Sequence, residues 1–501
     1  MSTTYHTLDA YLYGKKIGRF YRDKNKAKFE YDPDWDGQPV SLGITKDNTN
    51  VNALPYLKGL LPENEHTRQE WGRDYGVNPG DPLSLLGAVG QDLPGAIQLL
   101  PGGKSPNLDG KAVPLDEQDL KALMEAVAYR VGFWAARSGK KLDTPGKFSL
   151  AGAQKKTALH RLPDGKWALP FGRFPSSHIL KPEIRNSFPD SDINETICLN
   201  TMNRIGIRAA KETIETVGGV RVSVIERFDR ENTETGIRRI HQEDLCQVLR
   251  IDPAYKYSQE KGPDATTSAK LIKAVAGEDQ ALEFVRQLAF NVAIVAPDAH
   301  GKNFSLLEYP DGRVELAPAY DVTSYIPYIG NLDFRPLDTV RLAMPIGRAN
   351  RFEDVSPYRW ERFARTAGLN PDRVIVEVRR VVESLPDALS DSLRAHRDIV
   401  TGSNVKGMVD KLRRLGAKSW IGGKQSFTLG KATTQEGKNW SSQIATSGVF
   451  PGQPSATGRS FAPSDGIASG VSGRPADVWV NAYVRKDGVK VSGHWRKRPA
   501  H

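Results

Sequence analysis

The stretch Asn291-Val-Ala-Ile-Val-Ala-Pro-Asp298-Ala-His300-Gly-Lys302-Asn303-Phe-Ser-Leu-Leu-Glu308-Tyr-Pro-Asp-Gly312-Arg-Val-Glu-Leu316-Ala-Pro-Ala-Tyr320-Asp321-Val-Thr-Ser324 decides how this chain is read. Its middle predicts a β-hairpin. Phe304 to Glu308 is a short, mostly apolar run, and Arg313 to Leu316 returns. Tyr309-Pro310-Asp311-Gly312 between them has turn chemistry: Pro presets φ, Asp bonds its own backbone and Gly accepts positive φ. Residues equidistant from a hairpin tip face each other. Asn303 and Asp321 are equidistant from Gly312, so an amide and a carboxylate should meet at the open end. Asp298 lies five residues before Asn303. An Asp-x-x-x-x-Asn spacing, a hairpin and a second Asp are what phosphoryl transfer from a nucleotide requires. One carboxylate orients the attacking hydroxyl, and an Asn and a second carboxylate hold Mg²⁺ on the phosphates.

Working outward, Glu278 to Val295 predicts a long apolar helix that delivers the chain to Asp298. With no second His nearby, His300 reads as a hydrogen-bonding residue rather than a metal ligand. Upstream, Gly146-Lys-Phe-Ser149-Leu-Ala151-Gly152-Ala153-Gln154-Lys155-Lys156 is a loop of small residues, followed by strands about a Pro163-Asp164-Gly165 turn. Such a loop lets backbone N–H groups approach phosphate oxygens; a purely structural loop is the competing reading. Ser177 to Lys181 predicts a strand ending in lysine, the placement of a phosphate-holding lysine in a small lobe. Asp192 or Asn194 can cap a helix ending at Gly206. Val220 to Ile225 predicts a strand, and Glu226-Arg-Phe228-Asp-Arg230 after it fits a hinge between lobes. His241-Gln-Glu-Asp-Leu-Cys-Gln is expected to open a helix, and Glu353 to Arg394 to be helical.

Toward the N-terminus, residues 1 to about 45 alternate as strands do. Asn52 to Tyr75 changes to helical spacing with Gly76 as its stop, and Pro82 to Val89 predicts a further short helix. Gly102 to Val113 reads as a linker, and Asp116 to Arg130 as an amphipathic helix. Beyond residue 400 the composition shifts to Gly, Pro, Ser and Thr, then ends in a predicted hairpin (Asp477 to Val484, Val489 to Trp495). Its Tyr483, Arg485, Lys490, His494, Trp495, Arg496, Lys497 and Arg498 suit either contact with nucleic acid or a solubilising tail.

The 501 residues are too many for one average domain, and 39 % hydrophobic residues suffice for substantial cores. A formal net charge of +11 admits nucleic acid, an acidic partner or bound phosphates without choosing among them. The two cysteines, Cys198 and Cys246, read as small buried hydrophobes. No apolar run approaches the roughly 20 residues of a membrane helix, and the expected compartment is a reducing cytoplasm.

With these motifs assembled, the chain resembles the HipA family of bacterial serine/threonine kinases, toxins of HipA–HipB toxin–antitoxin modules. The resemblance spans roughly residues 5 to 400. It rests on Leu60-Leu-Pro-Glu-Asn-Glu, Gly90-Gln-Asp-Leu-Pro-Gly, Ser149-Leu-Ala-Gly-Ala-Gln-Lys-Lys, His178-Ile-Leu-Lys, Glu226-Arg-Phe-Asp-Arg, Gln242-Glu-Asp-Leu-Cys-Gln, Asp298-x-His-x-Lys-Asn and Tyr320-Asp-Val. It implies an α+β, bilobal protein-kinase-like fold: an N-terminal β-rich domain (1–105), a nucleotide-binding small lobe with hinge (116–230), a mostly helical C-lobe (231–400) and a basic extension (401–501). It further implies ATP and Mg²⁺ as cofactors. Ala151, Gly152, Ala153, Gln154, Lys155, Lys181, His300 and Lys302 would lie about the nucleotide, with Glu226 and Phe228 on adenine. Asp298 would be catalytic, Asn303 and Asp321 would bind metal, and Ser149 would be autophosphorylated as an off switch. The implied partners are a protein substrate, an aminoacyl-tRNA synthetase first, and a HipB-like DNA-binding antitoxin. Ala299 is smaller than the family's usual residue there, and the 401–501 extension is not needed by the core family. A small-molecule kinase, a pseudokinase and a nucleic-acid-binding protein are the competing classes.

Overall fold

Alternating apolar residues draw the first strands together. Leu8, Ala10 and Leu12 of β1 (Thr7–Leu12) and Ile17 and Phe20 of β2 (Lys15–Asp23) are fully buried. With β3 (Lys26–Tyr31) and β4 (Ile97–Pro101) they form a four-stranded antiparallel sheet of order β3-β2-β1-β4. Helices α1 (Leu54–Gly59), α2 (Glu65–Tyr75) and α3 (Pro82–Val89) follow. Tyr56, Leu57, Leu83 and Leu86 share one core with the sheet. Asn64 caps α2 through Thr67 N–H, and Gly76 ends it in the left-handed conformation expected of a helix stop. The computed structural model describes residues 3–106, 110–129, 154–172, 174–183, 188–234 and 236–417, with four short strands between 477 and 497. Two units separate by internal contacts, Met1–Pro454 and Ser455–His501.

A second sheet has six antiparallel strands in the order β5-β7-β6-β8-β10-β9. These are β5 (Lys111–Pro114), β6 (Thr157–Arg161), β7 (Trp167–Phe171), β8 (His178–Pro182), β9 (Glu212–Val217) and β10 (Val220–Glu226). Helix α4 (Glu117–Tyr129) sets Leu120 and Met124 against Leu180 and Val222 of this sheet. Helix α5 (Ser191–Arg204), almost entirely buried, lies between the sheet and the helical core. Gly102 to Val113 is therefore not wholly a linker: its last residues open β5, which pairs with β7 from Lys111↔Phe171 to Pro114↔Ala168. Helix α5 starts earlier than expected, with Asp190 rather than Asp192 or Asn194 at its N-cap.

A third section begins with a small hairpin, β11 (Arg230–Thr233) and β12 (Gly236–Arg239). His241–Asp244 then forms strand β13, not the start of a helix, because it pairs with β14 (Ser305–Glu308). Only Leu245–Val248 is helical (α6), opened by a capping box between Asp244 and Gln247. Helices α7 (Ala265–Ala276), α8 (Glu278–Ala293), α9 (Pro357–Ala367) and α10 (Pro371–Ala395) supply the largest core, which includes Phe284, Phe290, Trp360, Val378 and Leu385. Glu353 to Arg394 is thus two helices, parted where Gly368 takes a left-handed turn.

The decisive hairpin exists as β14 and β15 (Val314–Leu316), with pairs Leu306↔Leu316 and Glu308↔Val314. That register centres on Asp311, one residue before the expected Gly312. Asn303 and Asp321 are consequently not mutual cross-strand partners; both lie past the paired residues. Further on, β16 (Arg341–Ile346) and β17 (Ala349–Arg351) form a two-stranded sheet. In the terminal unit, β18 (Asp477–Val480) pairs with β21 (His494–Lys497), and β19 (Tyr483–Val484) with β20 (Lys490–Val491), in one continuous antiparallel register. Arg485 and Arg498 of the expected hairpin lie outside the described residues.

Candidate active site

A cavity of about 730 Å³ is lined by residues of every section of the first unit. Gln154, Lys156, Lys181, Glu226, Phe228, Asp298, His300, Lys302, Asn303 and Asp321 all line it. Most residues singled out from sequence therefore meet in one place. Ser149, Ala151, Gly152 and Ala153 lie outside the described residues. Lys155 is half-buried and is not part of the lining.

Lys181 sits on the central strand β8, with Ser223 of β10 opposite it. Its ammonium is 3.1 Å from Glu195 Oε1 on α5 and is also bonded to Asp321. Burial alone would lower the Lys181 pKa; Asp321 and Glu195 outweigh it and hold the lysine charged. Burial likewise favours a neutral Asp321, and Lys181 with Lys156 reverses this, keeping the carboxylate ionised. Lys156 is pushed down to about 8 by burial, with Asp321 opposing. Sequence reasoning missed Glu195. The available signal was a carboxylate on a buried helix just after a lysine-bearing strand.

The Asp298–Asn303 loop is fixed by its own backbone and by neighbours. Asn303 Nδ2 donates to Asp298 O at 2.8 Å, leaving the amide oxygen for another partner. His300 N donates to the same carbonyl at 2.8 Å. Tyr320 Oη donates to Lys302 O at 2.7 Å. Lys302 Nζ is buried and donates to Asp244 Oδ2 at 2.9 Å, so its charge is committed to holding the loop. The His300 ring is buried edge-on against Tyr257 and pushed down to about 3 by burial, hence neutral. Its Nε2 is 3.7 Å from Asp298 Oδ1, and its Nδ1 has no partner. Asp298 keeps a 56 % exposed side chain, and Tyr257 Oη donates to its Oδ1 at 2.5 Å. The cleft walls raise its pKa, and Tyr257 opposes that rise.

Two backbone positions here are strained. Val295 and Asp321 have φ of 54° and 53°. A β-branched residue in that region is a genuine outlier. Val295 lies three residues before Asp298, and Asp321 is itself a cleft-lining carboxylate, places where strain can concentrate at a functional site.

Glu226 ends β10; its N–H donates to Lys211 O at 3.0 Å, and its exposed carboxylate pairs with Lys211. Arg227 and Asp229 enter a buried network. Arg227 bonds Asp229 Oδ1 through Nε (3.0 Å) and Leu93 O through Nη2 (2.9 Å). Arg230 and Arg239 reach Asp92 Oδ1 at 2.8 and 3.0 Å, and Ser176 Oγ reaches Asp92 Oδ2 at 2.6 Å. Gly95 N donates to Asp229 Oδ2 at 2.7 Å. The N-terminal sheet section is thus locked to the residues between the lobes.

A lysine strand with a helix glutamate, an Asp-x-x-x-x-Asn loop and a returning aspartate around one cleft define a protein-kinase-like fold. Family models agree on which branch: the HipA N-terminal domain matches residues 8–100 and the HipA-like C-terminal domain residues 148–389. The protein Y4mE of Sinorhizobium fredii is 32 % identical over 416 residues, 80 % of this chain and 95 % of that protein. The chain belongs to the HipA family. It is also similar to the serine/threonine-protein kinase toxin HipA of Shewanella oneidensis, 28 % identical over 77 % of this chain and 89 % of that one. The fold matches the Shewanella oneidensis HipA, HipB and operator DNA complex with a TM-score of 0.66 and 24 % identity, covering 81 % of this chain and 97 % of that one. No described helix is long and apolar enough to cross a membrane.

Proposed function

We propose that this chain transfers the γ-phosphoryl group of ATP to a serine or threonine hydroxyl of a protein, as the kinase toxin of a toxin–antitoxin pair. One observation carries the reading: Lys181 joins Glu195 and Asp321 in the same cleft where Asn303 is braced on the backbone of Asp298. That is the lysine–glutamate pair, metal-ligand pair and catalytic aspartate of kinase chemistry in one arrangement. In this reading residues 1–105, 116–230, 231–400 and 401–501 are the working domains.

Lys181, held by Glu195, would bind the α/β-phosphates, with Gln154 and Lys156 at the loop's end beside them. The Glu226 carbonyl and Phe228 N–H would bind the adenine edge, since the Glu226 N–H is already spent on Lys211. Asn303 and Asp321 offer an amide oxygen and a carboxylate, hard donors suited to Mg²⁺. The amide NH₂ of Asn303 is already committed, which turns the correct atom outward. The ion, when bound, would neutralise charge on the phosphates. Asp298 would orient the substrate hydroxyl and accept its proton, with Tyr257 holding the carboxylate. Lys302 and His300 would position that loop rather than touch phosphate. Most of the catalysis would come from positioning and charge complementarity.

Phosphorylation of Ser149 would add about −2 of charge to a loop expected to hold ATP phosphates and would so switch the enzyme off. A HipB-like antitoxin is the expected partner, supported by the solved HipA–HipB–DNA relative. An aminoacyl-tRNA synthetase is the first substrate to try. Incubation of purified protein with γ-labelled ATP should label Ser149, and Asp298→Ala should abolish the label. Label persisting in Asp298→Ala would sink the assignment; ATP turnover with a metabolite and no protein label would favour a small-molecule kinase.

A further inference from the structure

Strand β13 carries His241 and Glu243 two residues apart, hence on one face of its sheet. Glu308 of β14 is the direct cross-strand partner of His241, on that same face. A ring nitrogen of His241 and one carboxylate oxygen from each glutamate all lie within 4.8 Å of one another. All three side chains are buried: His241 and Glu243 are 0 % exposed and Glu308 3 %.

The surroundings supply second contacts and leave lone pairs over. Glu243 Oε2 accepts from Ser41 Oγ and Leu42 N, both at 3.1 Å. His241 Nε2 is 3.1 Å from Val40 O. His241 Nδ1, Glu243 Oε1 and Glu308 Oε1 have no hydrogen-bond partner. Among the described residues no lysine or arginine pairs with either glutamate. Gly95, at φ +77°, passes beside the ring: a Cβ there would stand 3.0 Å from His241 Nδ1 and 2.5 Å from Gln242 N. Two carboxylates out of water and without a cation repel each other and cost several kcal/mol. Something positive must share the space.

We propose that His241, Glu243 and Glu308 bind a divalent first-row transition ion within the catalytic section, beneath Val40, Ser41 and Leu42 of the N-terminal section, which hydrogen-bond two of its ligands. The charges then cancel, two carboxylates against one dication. One imidazole with two carboxylates suits Zn²⁺ or Mn²⁺, whereas Ca²⁺ asks for six or more oxygens. Hydrogen bonds from Ser41 and Leu42 orient Glu243 as outer-shell partners orient ligands elsewhere. The ligating strands adjoin the candidate active site in sequence, since Asp244 holds Lys302 and β14 follows Asn303. The ion would be structural, apart from any Mg²⁺ in the cleft.

The competing occupant is a proton shared between Glu243 and Glu308. Metal content of the full chain, dialysed against Zn²⁺ or Mn²⁺ and then against metal-free buffer, separates the two. Wild type and Asp321→Asn, which removes the cleft ligand, should each retain about one ion per chain. Glu243→Gln and Glu308→Gln should bind at least tenfold more weakly and lose the rise in Tm that the ion gives wild type. Wild type carrying well under one ion per chain, or the Gln variants retaining it, would overturn the proposal. Glutamine imitates the protonated acid, so under the shared-proton alternative these variants keep wild-type Tm. Should either fail to fold, Co²⁺ titration of wild type decides: d–d absorption saturating at one equivalent supports the site, and its absence overturns it.

Discussion

The hinge and the cleft each gather acidic and basic side chains out of water, yet only the hinge is complete on its own. Asp92 and Asp229 face Arg227, Arg230 and Arg239, and all four carboxylate oxygens are bonded within the protein. Burial would raise the Asp92 carboxyl; the arginines outweigh it and hold it far below the usual range. In the cleft, Lys181 and Lys156 face Asp321 and Glu195, and Glu212 outside its lining is close enough to act on Lys181. There burial wins at Glu195 and Glu212, whose pKa values are raised despite Lys181. Carboxylates whose oxygens are all bonded within the chain serve architecture; in the proposed reading, those whose pKa the lysines fail to bring down face a bound ligand.

The strongest way to break this contrast is to remove one acid from each cluster. Asp321→Asn should cost activity heavily, on the order of 10³-fold in kcat, while costing less stability than Asp92→Asn, since Glu195 still pairs with Lys181. Asp92→Asn should do the reverse. It removes the carboxylate that Arg230 and Arg239 share and leaves Arg230 only Asp229, a loss of about 3–5 kcal/mol. Urea titration and labelled-ATP turnover on both variants check the pair, and equal stability losses would erase the distinction.

Acid sharpens it next. The folded pKa of Asp92 lies below its unfolded value of about 3.9. Its contribution is therefore fully present above pH 4 and is lost as pH falls below that toward the folded value. Wild type should lose stability steeply below pH 4. The same limb should be shallower in Asp92→Asn, as read from unfolding free energy against pH. Parallel limbs would show that other carboxylates govern acid unfolding.

How much of this was visible in the chain follows the same division. The cleft was legible because its chemistry is spaced locally: Asp298 to Asn303 is one loop, and Lys181 ends one strand. The motif Glu226-Arg-Phe-Asp-Arg could be read as a candidate hinge, but what its arginines hold could not. Asp92 and Leu93 are over 130 residues away, and sequence spacing carries no signal at that range. Strand β13 was misread for a related reason. His241–Asp244 takes its conformation from pairing with β14, more than 60 positions on, and that overrides a local helix signal genuine only from the Asp244–Gln247 cap onward. Strand β5 was hidden likewise, since four residues at a sheet edge are defined by β7 rather than by themselves. The hairpin arithmetic missed by one residue because the turn centres on Asp311; Asn303 and Asp321, both beyond the ladder, line the same cavity.

The smallest expected effect lies inside the cleft, at a contact no motif announced. Tyr257 Oη donates to Asp298, and this bond lowers the Asp298 pKa against the rise that the surrounding cleft walls impose. Tyr257→Phe removes only the hydroxyl. The ring still covers His300, so stability should change by less than about 1 kcal/mol, and kcat at neutral pH should fall about tenfold or less, within the span of one hydrogen bond. The informative readout is the pH profile. With the opposing bond gone, Asp298 should titrate higher, so the acid limb of kcat against pH should move to higher pH. A purely structural tyrosine would lower the whole profile without moving that limb, which would remove Tyr257 from the completed part of the cleft's charge arrangement.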